Sequence, residues 1–405
     1  MNARERVLRT LDLEEADCVP YVEWQIQNPS TAERLGFAAP GSASQTVKFQ
    51  PDKLMAFLGK IKGLPKFVNN LLQKLTKLPK MFAPIMDLVM SQLFKFYIHL
   101  GVDLTALPIA PISYFKWETP NIVMNEFGQV FEVKNIAGVL SAYYVGGYLK
   151  TPEIYDEFPK MDHEQVLGLT MYKTLLKKKD LKNDRILVSP GIFSGLFDST
   201  YMGMGIEAFS RALVKKPNFI QRIISDRERA YSQIIKTVID ETNSPVFFIG
   251  DDLAFNSGPF ISPRYFKKFF LPSYQRLSKI IHKRDAKFLF HTDGDIRDFL
   301  AIPEFIKCFD LIHPWQASAN QDIFEAKKKY GAQFAIAGNV PIEMLVHKTP
   351  EIVSNYVKQL LKECAPGGGY FLSSGNSIVS EIPADNYLAM LSTFRKYRRY
   401  PIDIP

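Results

Sequence analysis

Cysteine is scarce in this sequence: Cys18, Cys308 and Cys364 are the three in 405 residues, far apart and in no C-x-x-C spacing. This argues against a disulfide framework and a locally written thiolate metal cluster, and it points to a reducing cytoplasm. Long apolar runs are missing too. The greasiest stretch, 81–100, is broken by Pro84, Asp87, Gln92, Lys95 and His99, so it does not supply the roughly 20 apolar residues of a membrane span. The amino terminus shows no apolar core of a signal peptide and reads as a capped helix, with Asn2 followed three residues later by Glu5. No G-x-x-x-x-G-K phosphate loop and no Ser or Cys nucleophile elbow occurs. The glycines of 201–205 precede a helix but follow no suitable strand, which leaves nucleotide chemistry unsupported.

Charge of one sign is also lacking over most of the chain. The formal net charge is +8, and between Lys48 and Lys80 eight lysines stand against one acid, Asp52, so nearly all the excess is local. A chain otherwise close to neutral is not a nucleic-acid binder along its whole surface. Within that segment Leu54, Phe57, Leu58 and Ile61, then Phe67, Leu71, Leu72 and Leu75, recur at helical spacing, interrupted by Pro65 and Pro79. This predicts short basic amphipathic helices. They fit packing on the main body with the lysines solvated, a lid that docks an acidic partner or anionic ligand, or peripheral contact with an anionic membrane, the first being the simplest.

What is present is a repeat of short apolar runs, each ending in polar or glycine residues and most leading into a helical stretch. They are VPYVEWQ at 19–25, a run at 103–109, RILVSPG at 185–191, PVFFIGDD at 245–252, KFLFHTDG at 287–294, LIHPWQ at 311–316, FAIAGN at 334–339 and GYFLSSGN at 369–376. Strands separated by helices pair in parallel, and eight such units close into a barrel. The expected fold is therefore α/β, a single (β/α)8 TIM-type barrel over 1–405. Two insertions decorate it: a basic helical one at about 45–100, and a β-rich one at about 121–149 that reads as a hairpin with Phe127, Gly128 and Gln129 at its turn.

Loops after the strands form the active-site face of such a barrel, which makes polar residues at strand ends the candidates. Alternation places His291 and Asp293 on one face of their strand, able to act as metal ligands or as an acid/base couple, and Tyr21, Glu23 and Gln25 on one face of the first. Asp251 and Asp252 are adjacent, so one points inward and the other toward a helix. Asn339, Ser374 and Asn376 close the last two strands and could contact a ligand. Glu23, Gln25, Asp251, Asn339, Ser374 and Asn376 are thus expected to bind substrate, and His291, Asp293 and Asp252 to carry chemistry.

N-x-R-E-R-V-L at 2–8 with D-x-V-P at 17–20, GDDLAFNSGPFISP at 250–263, HTDGDI at 291–296 and PGGGYFLSSGNSI at 366–378 together resemble the uroporphyrinogen decarboxylase superfamily. The superfamily includes porphyrinogen decarboxylases and corrinoid-linked methyltransferases. The decarboxylases' R-Q-A-G-R-Y and Gly-His-Gly motifs are replaced here by YVEWQIQNP and SSGNS. The resemblance to the methyltransferases implies a metal at His291, with Asp293 and Asn376 standing where that branch has cysteines; zinc or another divalent ion would meet His291, Asp293 and Asn376, with Glu23 as a further donor. The expectation is a cytoplasmic methyltransferase that moves methyl between a small substrate or thiol and a corrinoid, either free or on a corrinoid protein. Loss of both thiolates favours an oxygen- or nitrogen-methyl substrate. Decarboxylation of an acidic substrate, and a barrel that binds without catalysis, are the alternatives.

Overall fold

The structure is a computed structural model that describes residues 1–37, 79–109, 115–119, 121–136, 139–161 and 167–405. Thirteen strands occur among these residues. They are β1 (Leu104–Pro108), β2 (Phe115–Thr119), β3 (Ile122–Asn125), β4 (Gln129–Ile136), β5 (Val139–Gly147), β6 (Leu187–Ile192), β7 (Val246–Gly250), β8 (Ala254–Phe255), β9 (Gly258–Pro259), β10 (Lys287–His291), β11 (Leu311–His313), β12 (Ala335–Ala337) and β13 (Tyr370–Phe371). Seven of them form one parallel sheet in the order β1-β6-β7-β10-β11-β12-β13.

The eighth run joins the two edges. Tyr21 bridges Leu372 and Val22 bridges Leu104, both in parallel, with Val22 N–H donating to the Leu372 carbonyl at 3.0 Å and Glu23 N–H to that of Leu104 at 3.2 Å. Divided between two neighbours, these contacts are single bridges rather than a continuous ladder, but they curl the sheet round on itself as expected of a (β/α)8 plan.

Period-two alternation sorts the strand side chains into two cores. Val22, Leu104, Leu187, Val246, Leu289 and Leu311 belong to an inner cluster, with Phe248 and Phe371. Phe247, Ile249, Phe288, Phe290, Ile312 and Ile336 face the helices in a larger outer one. At the base, the first helix, Ala3–Leu11, adds Val7 and Leu11 to the inner cluster. Its capping box is reciprocal: Glu5 N–H donates to Asn2 Oδ1 at 2.8 Å, and Asn2 N–H to Glu5 Oε2 at 3.2 Å. The helix thus starts where the sequence marks it and plugs the barrel from below.

Strands β2–β5 make a four-stranded antiparallel sheet, larger than the expected hairpin because β2 begins before residue 121. The turn between β3 and β4 is set by Asn125, whose Oδ1 accepts from Phe127 N and Gln129 N at 3.0 and 3.1 Å, and by Gly128 at φ +76°. The sheet docks on the helix Leu196–Met204 through Tyr144 O–H to the Met202 carbonyl, 2.8 Å, and on the loop just before it through Gln129 Nε2 to Ser194 Oγ, 3.1 Å. The glycines near residue 203 therefore serve packing: a Cβ on Gly203 would lie 2.2 Å from the Phe127 carbonyl oxygen. Of the basic insertion, the helix Pro79–Leu100 is described, while most of the lysine-rich stretch lies outside the described residues. No helix among the described residues is long and apolar enough to cross a membrane.

Gly203→Val should separate the sheet from its helix and lower stability by about 1–3 kcal/mol, the usual cost of overpacking a close contact. Urea unfolding measures it; an unchanged midpoint would show that this contact does not hold the sheet in place.

Candidate active site

The upper layer of the barrel interior is polar because three strands end their inward face on a hydrogen-bonding side chain. Two residues beyond inward Leu289 stands His291, two beyond Leu311 stands His313, and two beyond Phe371 stands Ser373. The parallel register of β10 and β11 sets His291 directly beside His313. Their Nδ1 atoms are 2.7 Å apart, and His313 Nε2 is 2.9 Å from Ser373 Oγ. Beneath them Trp24 and Phe248 pack with centroids 4.6 Å apart, and the Trp24 ring meets His313 edge-on at 5.5 Å.

His313 is fully buried, and burial together with neighbouring His291 holds its pKa well below the ordinary histidine value. It is therefore neutral, and one ring nitrogen of the pair donates to the other. When His291 donates from Nδ1, His313 passes its Nε2–H to Ser373, and His291 presents a bare Nε2 lone pair to the mouth. That is the form a metal requires.

His291 Nε2 faces two carboxylates, Asp293 Oδ1 at 3.6 Å and Asp252 Oδ1 at 3.9 Å. One donor atom from each of the three lies within 4.8 Å of the others. Two donors bound to one tetrahedral ion, each about 2.1 Å from it, sit about 3.4 Å apart, close to the His291–Asp293 spacing. Asp293 Oδ1 is buried and receives no hydrogen bond among the described residues, whereas Oδ2 accepts from Asn376 Nδ2 at 2.6 Å. Burial pushes the Asp293 carboxyl above the usual range, with His291 pulling it down and Asp252 pushing it further up. Asp252 Oδ1 in turn accepts from Asp293 N at 2.9 Å, which ties the two acids into one loop geometry. The residues present thus fit a divalent cation with two oxygen donors and one nitrogen.

This differs from the expected ligand set of His291, Asp293 and Asn376. The amide of Asn376 donates to Asp293 and its Oδ1 accepts from Ser377 N at 2.7 Å, so it orients a carboxylate rather than offering a free oxygen. Asp252 takes its place in the cluster.

Several expected substrate contacts are placed elsewhere. Asp251 turns away from the mouth and caps the helix Leu196–Met204, accepting from Phe197 N at 2.8 Å, Asp198 N at 2.6 Å and the Tyr274 hydroxyl. A Cβ on Gly195 would strike that carboxylate at 2.3 Å, so the glycine makes room for the cap. Burial raises Asp251 to about 7. Glu23 points outward, not inward, because Val22 and Trp24 occupy the inner face; it accepts from Ser374 Oγ at 2.6 Å and Tyr21 O–H at 2.9 Å. Tyr21 reaches Tyr387 on the helix Ala384–Tyr397, which confirms the direction. Ser374 is bound to Glu23 and the Asn376 carbonyl. Asn339 is held between the Trp315 carbonyl and the Tyr356 hydroxyl, behind the sheet, and Gln25 is exposed beside Ser377.

His313, Ser373 and Trp24 carry the site and were not selected from sequence. A signal for His313 existed: the runs KFLFH and LIH both end on histidine.

A barrel with its polar donor cluster at the carboxyl ends of the strands has the plan of a barrel enzyme. The family model described as uroporphyrinogen decarboxylase (URO-D) matches residues 149–397, and the chain belongs to that family. A curated uroporphyrinogen decarboxylase from Pseudoalteromonas translucida (strain TAC 125) is 25% identical over 251 residues, which cover 57% of this chain and 64%, less than two-thirds, of that protein. Among solved structures, a methyltransferase from Methanosarcina mazei shares the fold with a TM-score of 0.60 and 14% identity, over 98% of this chain and 99% of that one.

Buried Glu23 has a testable consequence for stability. Burial raises its carboxyl from 4.5 to about 8, so between those values the folded chain keeps a proton that the unfolded chain has released. Stability should then fall as pH rises across that window, by ~1.4 kcal/mol per pH unit for one proton. Glu23→Gln should make the decline shallower by that amount without abolishing it, since Glu126 is raised to about 8 in the same way. Urea midpoints from pH 5 to 8 give the slope; equal slopes in both proteins would mean Glu23 is ionised when folded.

Proposed function

We propose that the chain is a corrinoid-dependent methyltransferase acting on a small oxygen- or nitrogen-methyl substrate, with a divalent cation held by Asp252, His291 and Asp293. The observation that carries this reading is the buried, donor-free Asp293 Oδ1 set 3.6 Å from His291 Nε2 at the barrel mouth. The full-length likeness to a methyltransferase fold supports the class. Two carboxylates and an imidazole form a harder donor set than thiolates, which suits polarising oxygen or nitrogen. When bound, a divalent ion supplies Lewis-acid activation of the heteroatom that carries or receives the methyl group.

The chain's own residues supply position and exclusion of water. His313 and Ser373 fix the His291 ring orientation from behind, Asn376 fixes the Asp293 rotamer, and the Asp293 backbone amide fixes Asp252. Trp24 and Phe248 give the substrate an apolar floor. Phe193 and Phe255, both exposed after β6 and β7, offer apolar surface to a large planar ligand such as a corrin, whether free or carried by a corrinoid protein.

The activity named for the curated relative favours a second reading, decarboxylation of an acidic substrate. That reaction calls for cationic side chains facing the substrate, and the cluster described here is acidic.

The deciding experiment joins metal content to turnover. Protein purified without chelator should hold stoichiometric divalent metal that is lost in His291→Ala, and the wild type should convert cob(I)alamin to methylcobalamin, read by absorbance, with methanol, methylamines or aromatic methyl ethers. Equal metal in both proteins and no cobalt change with any donor would overturn the proposal, and decarboxylated product from uroporphyrinogen would select the second reading. Asn376→Ala should weaken metal binding by about 10–100-fold, as loss of a ligand-orienting partner usually does. A competition titration with a chromogenic chelator measures it, and unchanged affinity would remove Asn376 from the site.

A further inference from the structure

At the end of the barrel away from the mouth, where the strands begin, lies a cavity of about 360 Å³. Its walls come from the first helix, from the residues leading into β1 and β6, and from the end of the helix Ala384–Tyr397. Five arginines line it against two carboxylates, Asp17 and Asp103. Much of this charge is spent on the fold. Arg6 binds Asp103 at 2.6 Å and Asp17 at 2.8 Å, Arg398 binds the other Asp103 oxygen at 2.8 Å, and Arg185 turns to Asp180 at 2.9 Å.

Two guanidiniums are left over. Arg395 reaches only a backbone carbonyl, that of His99 at 2.6 Å, and the Arg399 side chain has no hydrogen bond or ion pair among the described residues. Both are exposed and line the same cavity, Arg395 from the last turn of the helix Ala384–Tyr397 and Arg399 from just beyond its end, where it bridges Cys18. Asp103, the acid nearest the centre of the network, is 5% exposed and both its oxygens are already engaged, so it does not neutralise them. A concave surface with unbalanced charge of one sign focuses the field into the cavity. The planar fork of arginine matches the oxygens of an oxyanion in pairs. The volume lies in the ~300–1,000 Å³ range of small-ligand clefts, which exceeds what one water or chloride needs.

We infer that this basal cavity is a binding site for a compact, multiply charged phosphate, held by the charge-uncompensated guanidiniums of Arg395 and Arg399. The opening is at the opposite end of the barrel from the Asp252, His291 and Asp293 cluster, so the ligand here is not the substrate of that cluster. The paired arginines form the rim of a prebuilt pocket, and a diphosphate replaces bulk water as the partner of the unpaired ones.

The test uses the full chain with inorganic pyrophosphate as the probe, by calorimetry and by thermal unfolding at fixed ionic strength. Pyrophosphate should bind saturably and raise the melting temperature, and Arg395→Gln/Arg399→Gln should weaken binding at least tenfold with no change in melting temperature when ligand is absent. Asp293→Asn should bind pyrophosphate as the wild type does, which keeps this site separate from the one at the mouth. Sodium chloride matched for ionic strength giving the same thermal shift, the double variant binding as tightly as the wild type, or citrate outcompeting pyrophosphate would each overturn the proposal, the last by making the site one for carboxylates.

Discussion

The contact between His291 and His313 is the constraint on which the rest of the site depends. Two imidazoles with Nδ1 atoms 2.7 Å apart cannot both be protonated there, and the fully buried member stays neutral. One proton then lies between the rings, and the ring nearer the mouth has its orientation set from behind. The register of β10 against β11 makes this pairing, so the placement of the two imidazoles is a property of the sheet rather than of a loop. Strand-borne groups hold their positions better than loop-borne ones, which is what a metal or an acid/base couple requires.

Acids crowd the region above this pair, and the fold treats them in two ways. Asp251 is surrounded by donors at the start of a helix, where two backbone amides and Tyr274 stabilise its charge against burial. Asp198 sits beside it, fully engaged on one oxygen with the Asp252 amide, and burial with its acidic neighbours keeps it well above the ordinary aspartate value. Asp293, like Asp198, has one oxygen fixed and the other buried without a donor among the described residues, but its bare Oδ1 faces His291 Nε2, 3.6 Å away. A carboxylate oxygen left so in a low-dielectric site is costly unless something positive meets it. Asp251 and Asp293 are thus distinguished by what meets their oxygens, backbone amides and a hydroxyl for the one and an amide and an imidazole for the other, although both stand just beyond strand ends.

Family membership and site chemistry answer different questions. The barrel plan and the URO-D family follow from the whole pattern of strands and the matched region. A barrel of this kind hosts unrelated reactions, and the reaction is decided by side chains at the strand ends. Here those side chains form an acidic, nitrogen-containing cluster over an aromatic floor, in contrast to the guanidinium network at the base. The two ends of one barrel therefore present side chains of opposite charge.

The sequence by itself determined the parallel barrel, because apolar runs closed by glycine or polar residues recur eight times, and it determined that His291, Asp293 and Asp252 stand at strand ends. It also marked the capped first helix and the turn at Gly128. Inward or outward direction was a separate matter. Alternation relates Tyr21 to Glu23 and Asp251 to every second neighbour, but it does not say which set faces the axis, and only closure of the barrel turned Trp24 inward and Glu23 outward. In the same way His313 was visible as a residue and invisible as a partner, since its contact with His291 spans separate strands and exists only once their register is fixed. Local pattern carries the period of a strand; its phase and its neighbours come from the packing of the whole chain.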